Sequence, residues 1–179
     1  MTRDICKTMI LIDKIIGNIN SDQLFKEKYR DMLKSDQVER IEMTRIECER
    51  VRIRKVSDKG TDIAIAMAPG SRINDGDIVF LTGEKMIVVK RTPENVATIS
   101  LKSDMSYDQL FETAIKLGHT IGNMHRPIKV GGIKISFPIQ SQSEIELFQK
   151  LLYNLKDNID IKNENMIFEP EIGYDVREH

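Results

Sequence analysis

The hydrophobic period of the chain changes at Thr92-Pro93-Glu94, and no single layer of secondary structure satisfies both sides of that change. Before it, apolar side chains recur mainly at alternate positions, as in Ile63, Ile65 and Met67. Ser57-Asp58-Lys59-Gly60, Pro69-Gly70 and Asp75-Gly76-Asp77 punctuate the runs as turns. Alternation at this short spacing predicts a β-rich small barrel or sandwich over residues 1–92. After it, stretches with a period near 3.6 alternate with short apolar runs, which predicts helices interleaved with strands over residues 93–179. The expected fold class is therefore α+β in two domains.

Within the first stretch, Met9 to Ile19 reads as a strand that bends at Gly17-Asn18. Ser21 is suited to cap a short helix carrying Leu24, Phe25, Tyr29, Met32 and Leu33. From Ile41 to Ile53 the parity of alternation switches twice, at Ile46/Cys48 and at Val51/Ile53, which predicts bulges or tight bends between strand pieces. Ile78–Leu81 and Met86–Lys90 flank Thr82-Gly83-Glu84-Lys85 as a hairpin. In the second stretch, Val96–Leu101 is a strand. Tyr107, Leu110, Phe111, Ala114, Ile115, Gly118 and Ile121 then mark the inward side of a helix, with Gly122 as its left-handed end. Ile128–Val130 and Ile133–Phe137 pair around Gly131-Gly132. Ser143-Glu144-Ile145-Glu146 has the form of a capping box, opening a helix with Ile145, Phe148, Leu151, Leu152 and Leu155 inward. A last extended segment lies between Ile159 and Phe168. The order β-α-β-β-α-β is that of a ferredoxin-like domain.

Lys and Arg number 27 against 28 Asp and Glu, a net charge of −1, which disfavours a nucleic-acid binder. The acids concentrate at the end: residues 157–179 hold seven against two bases, a short acidic tail. No apolar run approaches the roughly 20 residues that span a bilayer. The nearest, Met9 to Ile16, is interrupted by Asp13 and Lys14 and lacks a cleavage site for export, so a cytoplasmic protein is expected. Cys6 and Cys48 are far apart and outside any CxxC pair, and read as free thiols.

Histidine is scarce: His119, His125 and His179. His125 sits between the predicted helix and a strand, where Gly122 and Pro127 let rigid elements present one imidazole at an exposed junction. His119 shares the polar side of the helix with Asp108, Glu112 and Lys116. It is six residues from His125, so the two are not an i, i+4 metal pair on one helix face. His179 is the last residue. GxSxG and GxxxxGK[ST] are both missing, Asp75 and Asp77 belong to a turn, and Met9, Met43, Met67 and Met86 fall at strand core positions. Residue type and spacing alone thus give no active site, and leave a metal-independent protein-binding scaffold open. A ferredoxin-like RNA binder ranks last, since the strands at 96–101 and 133–137 offer only Phe137 for stacking.

The run Leu117-Gly118-His119-Thr120-Ile121-Gly122-Asn123-Met124-His125-Arg126-Pro127 resembles the LGNRHxP signature of the UreE family of urease accessory proteins, which are nickel metallochaperones. MILIDKIIGNI (9–19), GSRINDGDIVFL (70–81) and IFEPEIGY (167–174) are similar to three further segments of that family, in the same order. The resemblance implies a homodimer, without enzymatic activity, that binds Ni²⁺ as cargo at its two-fold axis through the motif's second histidine, here His125. Imidazole suits Ni²⁺, and also accepts Zn²⁺ or Cu²⁺ in vitro. Binding weakens at acid pH, because the ligating imidazole must be neutral. The implied partners are apo-urease and the other urease accessory proteins, including the GTPase UreG. Three departures stand out. Met124 replaces an Arg beside the key histidine. Thr120 occupies a position where the family often has His, with His119 adjacent. The end carries one histidine, His179, instead of a His-rich tail, which predicts little storage capacity and makes His179 the candidate extra ligand. Residues 1–8 lie outside the resemblance and read as an extension ahead of Met9, itself a candidate start.

Overall fold

Ile, Val and Met side chains at alternate positions need a common interior, and the first part of the chain supplies it with two sheets. The computed structural model describes residues 9–171, which divide between Thr92 and Pro93 into two units. The first contains β1 (Ile10–Ile12), β2 (Gly17–Asn18), α1 (Gln23–Lys34), β3 (Val38–Met43), α2 (Arg45–Cys48), β4 (Arg52–Val56), β5 (Asp62–Ala66), β6 (Asp77–Leu81) and β7 (Met86–Arg91). One sheet has the order β1-β5-β4 and the other β2-β6-β7-β3; β1–β5 and β3–β7 are parallel pairs. Ile12, Ile63 and Ile65 of the first sheet share a core with Ile41, Met43, Ile87 and Val89 of the second. Both sheets stay open, so the barrel expected as one alternative does not form. The opposite face of β3 and β7 is covered by α1, where Met32, Phe25 and Tyr29 meet Val38, Met86 and Val88. Burial on both faces explains the unbroken apolar run Met86–Val89.

Three local expectations change. Met9–Ile19 is not one strand, because β1 and β2 belong to different sheets. Asp22, not Ser21, caps α1, its carboxylate accepting the N–H groups of Leu24 and Phe25 at 2.8 and 3.3 Å. Ile46 and Cys48 lie on α2, a single turn closed by a capping box between Thr44 and Glu47. That turn accounts for the parity switch without a bulge. Of the four methionines expected in the core, Met43, Met67 and Met86 are buried, while Met9 is half exposed. One buried carboxylate, Glu39, accepts a hydrogen bond from the Ser57 hydroxyl at 2.5 Å and pairs with Lys85 Nζ at 2.6 Å.

The second unit contains β8 (Glu94–Leu101), α3 (Tyr107–Gly122), β9 (Lys129–Gly131), β10 (Lys134–Pro138), α4 (Gln142–Leu151), a 3₁₀ turn at Tyr153–Leu155, and β11 (Ile159–Met166). Its sheet has the order β11-β8-β10-β9 with every neighbouring pair antiparallel. Gly132, at φ 59°, makes the turn between β9 and β10. Ala97 and Ile99 of β8 and Phe137 of β10 pack with Leu117 and Ile121 of α3 and with Ile145 and Phe148 of α4. The Phe137 and Phe148 rings are 4.7 Å apart between centroids, tilted by 48°. No helix among the described residues is long and apolar enough to cross a membrane.

Helix α3 is rotated from its expected phase. Thr113, Leu117 and Ile121 face inward, whereas Tyr107, Phe111 and Ile115 are 79%, 60% and 55% exposed. Thr113 fits the interior because its hydroxyl accepts from Asn158 Nδ2 at 3.0 Å and donates toward Met105 Sδ at 3.8 Å. Leu151 of α4 is likewise exposed. The capping box expected between Ser143 and Glu146 is not made, because α4 begins earlier, with Ser141 as its N-cap.

Candidate functional site

The candidate site lies at the end of α3. This helix starts with a capping box between Ser106 and Gln109 and keeps helical geometry through Gly122 and into its C-cap, Asn123. The chain then tightens, with Met124 N–H donating to the Ile121 carbonyl at 3.0 Å and His125 N–H to the Gly122 carbonyl at 3.1 Å. The left-handed residue expected at Gly122 falls instead on His125, with φ 48°. Histidine is among the few side chains besides glycine that take this conformation with some frequency. The reversal sends the backbone away from the helix axis and leaves the imidazole exposed.

The neighbours of His125 are anchored. Met124 and Ile128 pack against the core of the second unit. Arg126 donates to the Pro138 carbonyl at 2.8 Å, and its two terminal nitrogens reach Glu144 at 2.7 and 3.2 Å. Glu144 also accepts the Gln140 N–H at 2.7 Å. Burial opposes ionisation of Glu144, but the hydrogen bonds from Arg126 and Gln140 outweigh it and hold the carboxyl below its ordinary value. Sequence reading missed this pair, because 18 residues separate the partners and no local spacing links them. It also missed Glu171, whose N–H donates to the Ile128 carbonyl at 3.0 Å while its carboxylate accepts from Val130 N–H at 3.4 Å.

His119 is exposed, as its place on the polar side of α3 predicts, and its Nε2 lies 3.2 Å from the Asn123 amide nitrogen. His179 lies outside the described residues. Among the described residues no three His, Cys, Asp or Glu side chains are grouped so as to hold a metal ion. Cys48 is buried in the first unit, remote from this chemistry in sequence. What this turn offers is one exposed nitrogen ligand on a strained but well-anchored backbone.

Comparison with known proteins finds one family again and again. Residues 12–91 match the family model described as UreE urease accessory protein, N-terminal domain. Urease accessory protein UreE 1 of Pseudomonas syringae pv. tomato is 26% identical over 149 residues, 83% of this chain and 96% of that protein. Its first unit carries a UreE N-terminal domain, and the chain as a whole is similar to UreE proteins. UreE 1 of Pseudomonas syringae pv. syringae is 27% identical over 124 residues, 69% of this chain and 80% of that protein. UreE of Yersinia pestis is 32% identical over 121 residues, 65% of this chain but 51% of that longer protein. An aligned stretch of 149 residues cannot fit within a first unit that ends at Thr92, so the likeness to UreE 1 of the tomato pathovar runs on into the second unit and toward the His125 turn.

Proposed function

We propose that this chain is a cytoplasmic carrier that binds Ni²⁺ between the His125 imidazoles of two copies and passes it on for assembly of the urease active site. The observation that carries the reading is the exposed, anchored His125 turn within a UreE-like motif. One imidazole holds a divalent ion weakly; a two-fold axis beside His125 doubles the ligand from a single residue type. The exposed stripe Tyr107, Phe111 and Ile115 gives α3 an apolar side for such a second copy to cover, on the helix that leads into the turn. The strand order and antiparallel pairing of the second unit support a ferredoxin-like domain as the platform. Glu171 ties the chain to the Ile128–Val130 stretch. His179, eight residues further along the chain, is the proposed additional ligand. An incomplete shell leaves coordination positions for an acceptor, which release requires. Apo-urease and the accessory GTPase UreG are the proposed partners, and the role asks for no catalysis, in keeping with relatives named as accessory proteins.

The test is a calorimetric titration of Ni²⁺ into wild-type protein and His125→Ala, with mass followed by light scattering. Half an equivalent per chain, lost in the variant, supports the carrier. Binding that survives in the variant moves the ligands to His119, His179 or the acidic end. No binding in either protein overturns the carrier in favour of a metal-independent scaffold.

A further inference from the structure

His125 stands between two fixed points. On one side Met124 is held by the core that contains Leu117, Ile121 and Phe137. On the other, the Arg126 guanidinium is gripped at three oxygens: the Pro138 carbonyl at the end of β10, and both carboxylate oxygens of Glu144 in the first turn of α4. Both side chains of the ion pair are 19% exposed. This differs from an ordinary surface ion pair, which contributes little because two long side chains must be ordered in water. Here a planar fork meets a planar carboxylate, and the Gln140 N–H fixes the carboxylate from behind. Two elements, β10 and α4, therefore converge on Arg126, and the residue before it takes a backbone conformation that a non-glycine residue keeps only where its surroundings impose it.

We infer that the Arg126–Glu144 pair holds His125 in its left-handed turn and so presets the direction of the imidazole toward a bound metal ion. The metal half of this inference rests on the carrier reading above; the backbone half does not. Arg126 is a positioning residue. Its guanidinium has no free lone pair for a metal, and it acts through the backbone of its neighbour. Lysine should not replace it, since a single ammonium cannot span a carboxylate and a carbonyl in the same plane.

The test compares Glu144→Gln and Arg126→Lys with wild type in two measurements on the full chain. The first is ¹⁵N relaxation of the metal-free protein. In wild type the His125 amide should have an order parameter near that of rigid backbone, about 0.85, and in both variants it should fall toward the flexible range below about 0.6. The amides of β8, β10 and the body of α3 should stay unchanged, which also shows that the variants fold. The second is Ni²⁺ affinity by calorimetry, expected to weaken by roughly tenfold or more, the usual effect of removing an outer partner of a metal ligand. The double variant should be no worse than either single one, because the two side chains act as a unit. An unchanged His125 order parameter in both variants overturns the inference whatever the metal does. A mobile His125 with undiminished nickel affinity, in a protein whose His125→Ala variant binds none, overturns the metal half. If His125→Ala binds nickel as well as wild type, the assignment of the ligand to His125 fails instead, and the relaxation data alone decide on the backbone role.

Discussion

A histidine at φ 48° is held against the preference of its own side chain, since left-handed geometry costs an L-residue about 1–2 kcal/mol. Glycine escapes that cost. His125→Gly should therefore be more stable than His125→Ala by about 1 kcal/mol in chemical denaturation, although both remove the imidazole. The second telling residue is Glu39. Burial resists its charge, yet Lys85, Ser57 and Thr61 outweigh burial and hold the carboxyl below its ordinary value. A depressed carboxyl stabilises the folded state fully above its unfolded value, and the contribution disappears as pH falls through the lower folded value. The urea midpoint should accordingly drop on acidification below about pH 4.5, with a smaller drop in Glu39→Gln. At neutral pH that variant should lose about 1–3 kcal/mol, because it leaves the Lys85 ammonium without its counter-charge.

Helix α3 presents two adjacent apolar stripes and buries only one of them. The inward stripe is a polar-apolar mixture, Thr113, Leu117 and Ile121, while the outward one, Tyr107, Phe111 and Ile115, is the more hydrophobic. Leu117→Ala should cost about 2–5 kcal/mol of folding stability by chemical denaturation. Phe111→Ala should alter folding stability by less than about 0.5 kcal/mol yet raise the concentration at which copies separate in sedimentation, if this stripe is where they meet. The helix itself was legible in the sequence from its period; the capping box of Ser106 and Gln109 at its start emerges only in the structure. Its phase was not, because Thr113 looks like a surface residue until Asn158, 45 positions away, is seen to satisfy its hydroxyl. The same reason hides the grip on Arg126: Glu144 lies next to the helix-opening pattern at Ser143, but its partner is 18 positions away. α2 escaped notice for a different reason. Four residues are too few to show a helical period, and Ile46 and Cys48 mimic a strand. His125 was legible as the candidate ligand from its motif and its junction. Its left-handed turn was not, since Gly122 three positions earlier is the residue that backbone preference selects.

Across the molecule, each unit buries its own set of apolar side chains. Calorimetry should therefore report on each: Leu117→Ala should lower the unfolding temperature of the second unit, and Ile41→Ala that of the first. The alternating strands of the first unit announced its two-sheet core, whereas closure into a barrel depends on edge pairing that alternation does not encode. The bonds of Glu171 to Ile128 and Val130 also bear on how the protein is handled in the laboratory. A polyhistidine purification tag fused after residue 179 would continue the chain that Glu171 ties to this stretch, and would add competing imidazoles to a protein proposed to bind nickel through one per copy. Nickel stoichiometry measured on such a fusion would describe the tag, so the tag belongs at the other end of the chain or should be cleaved before titration.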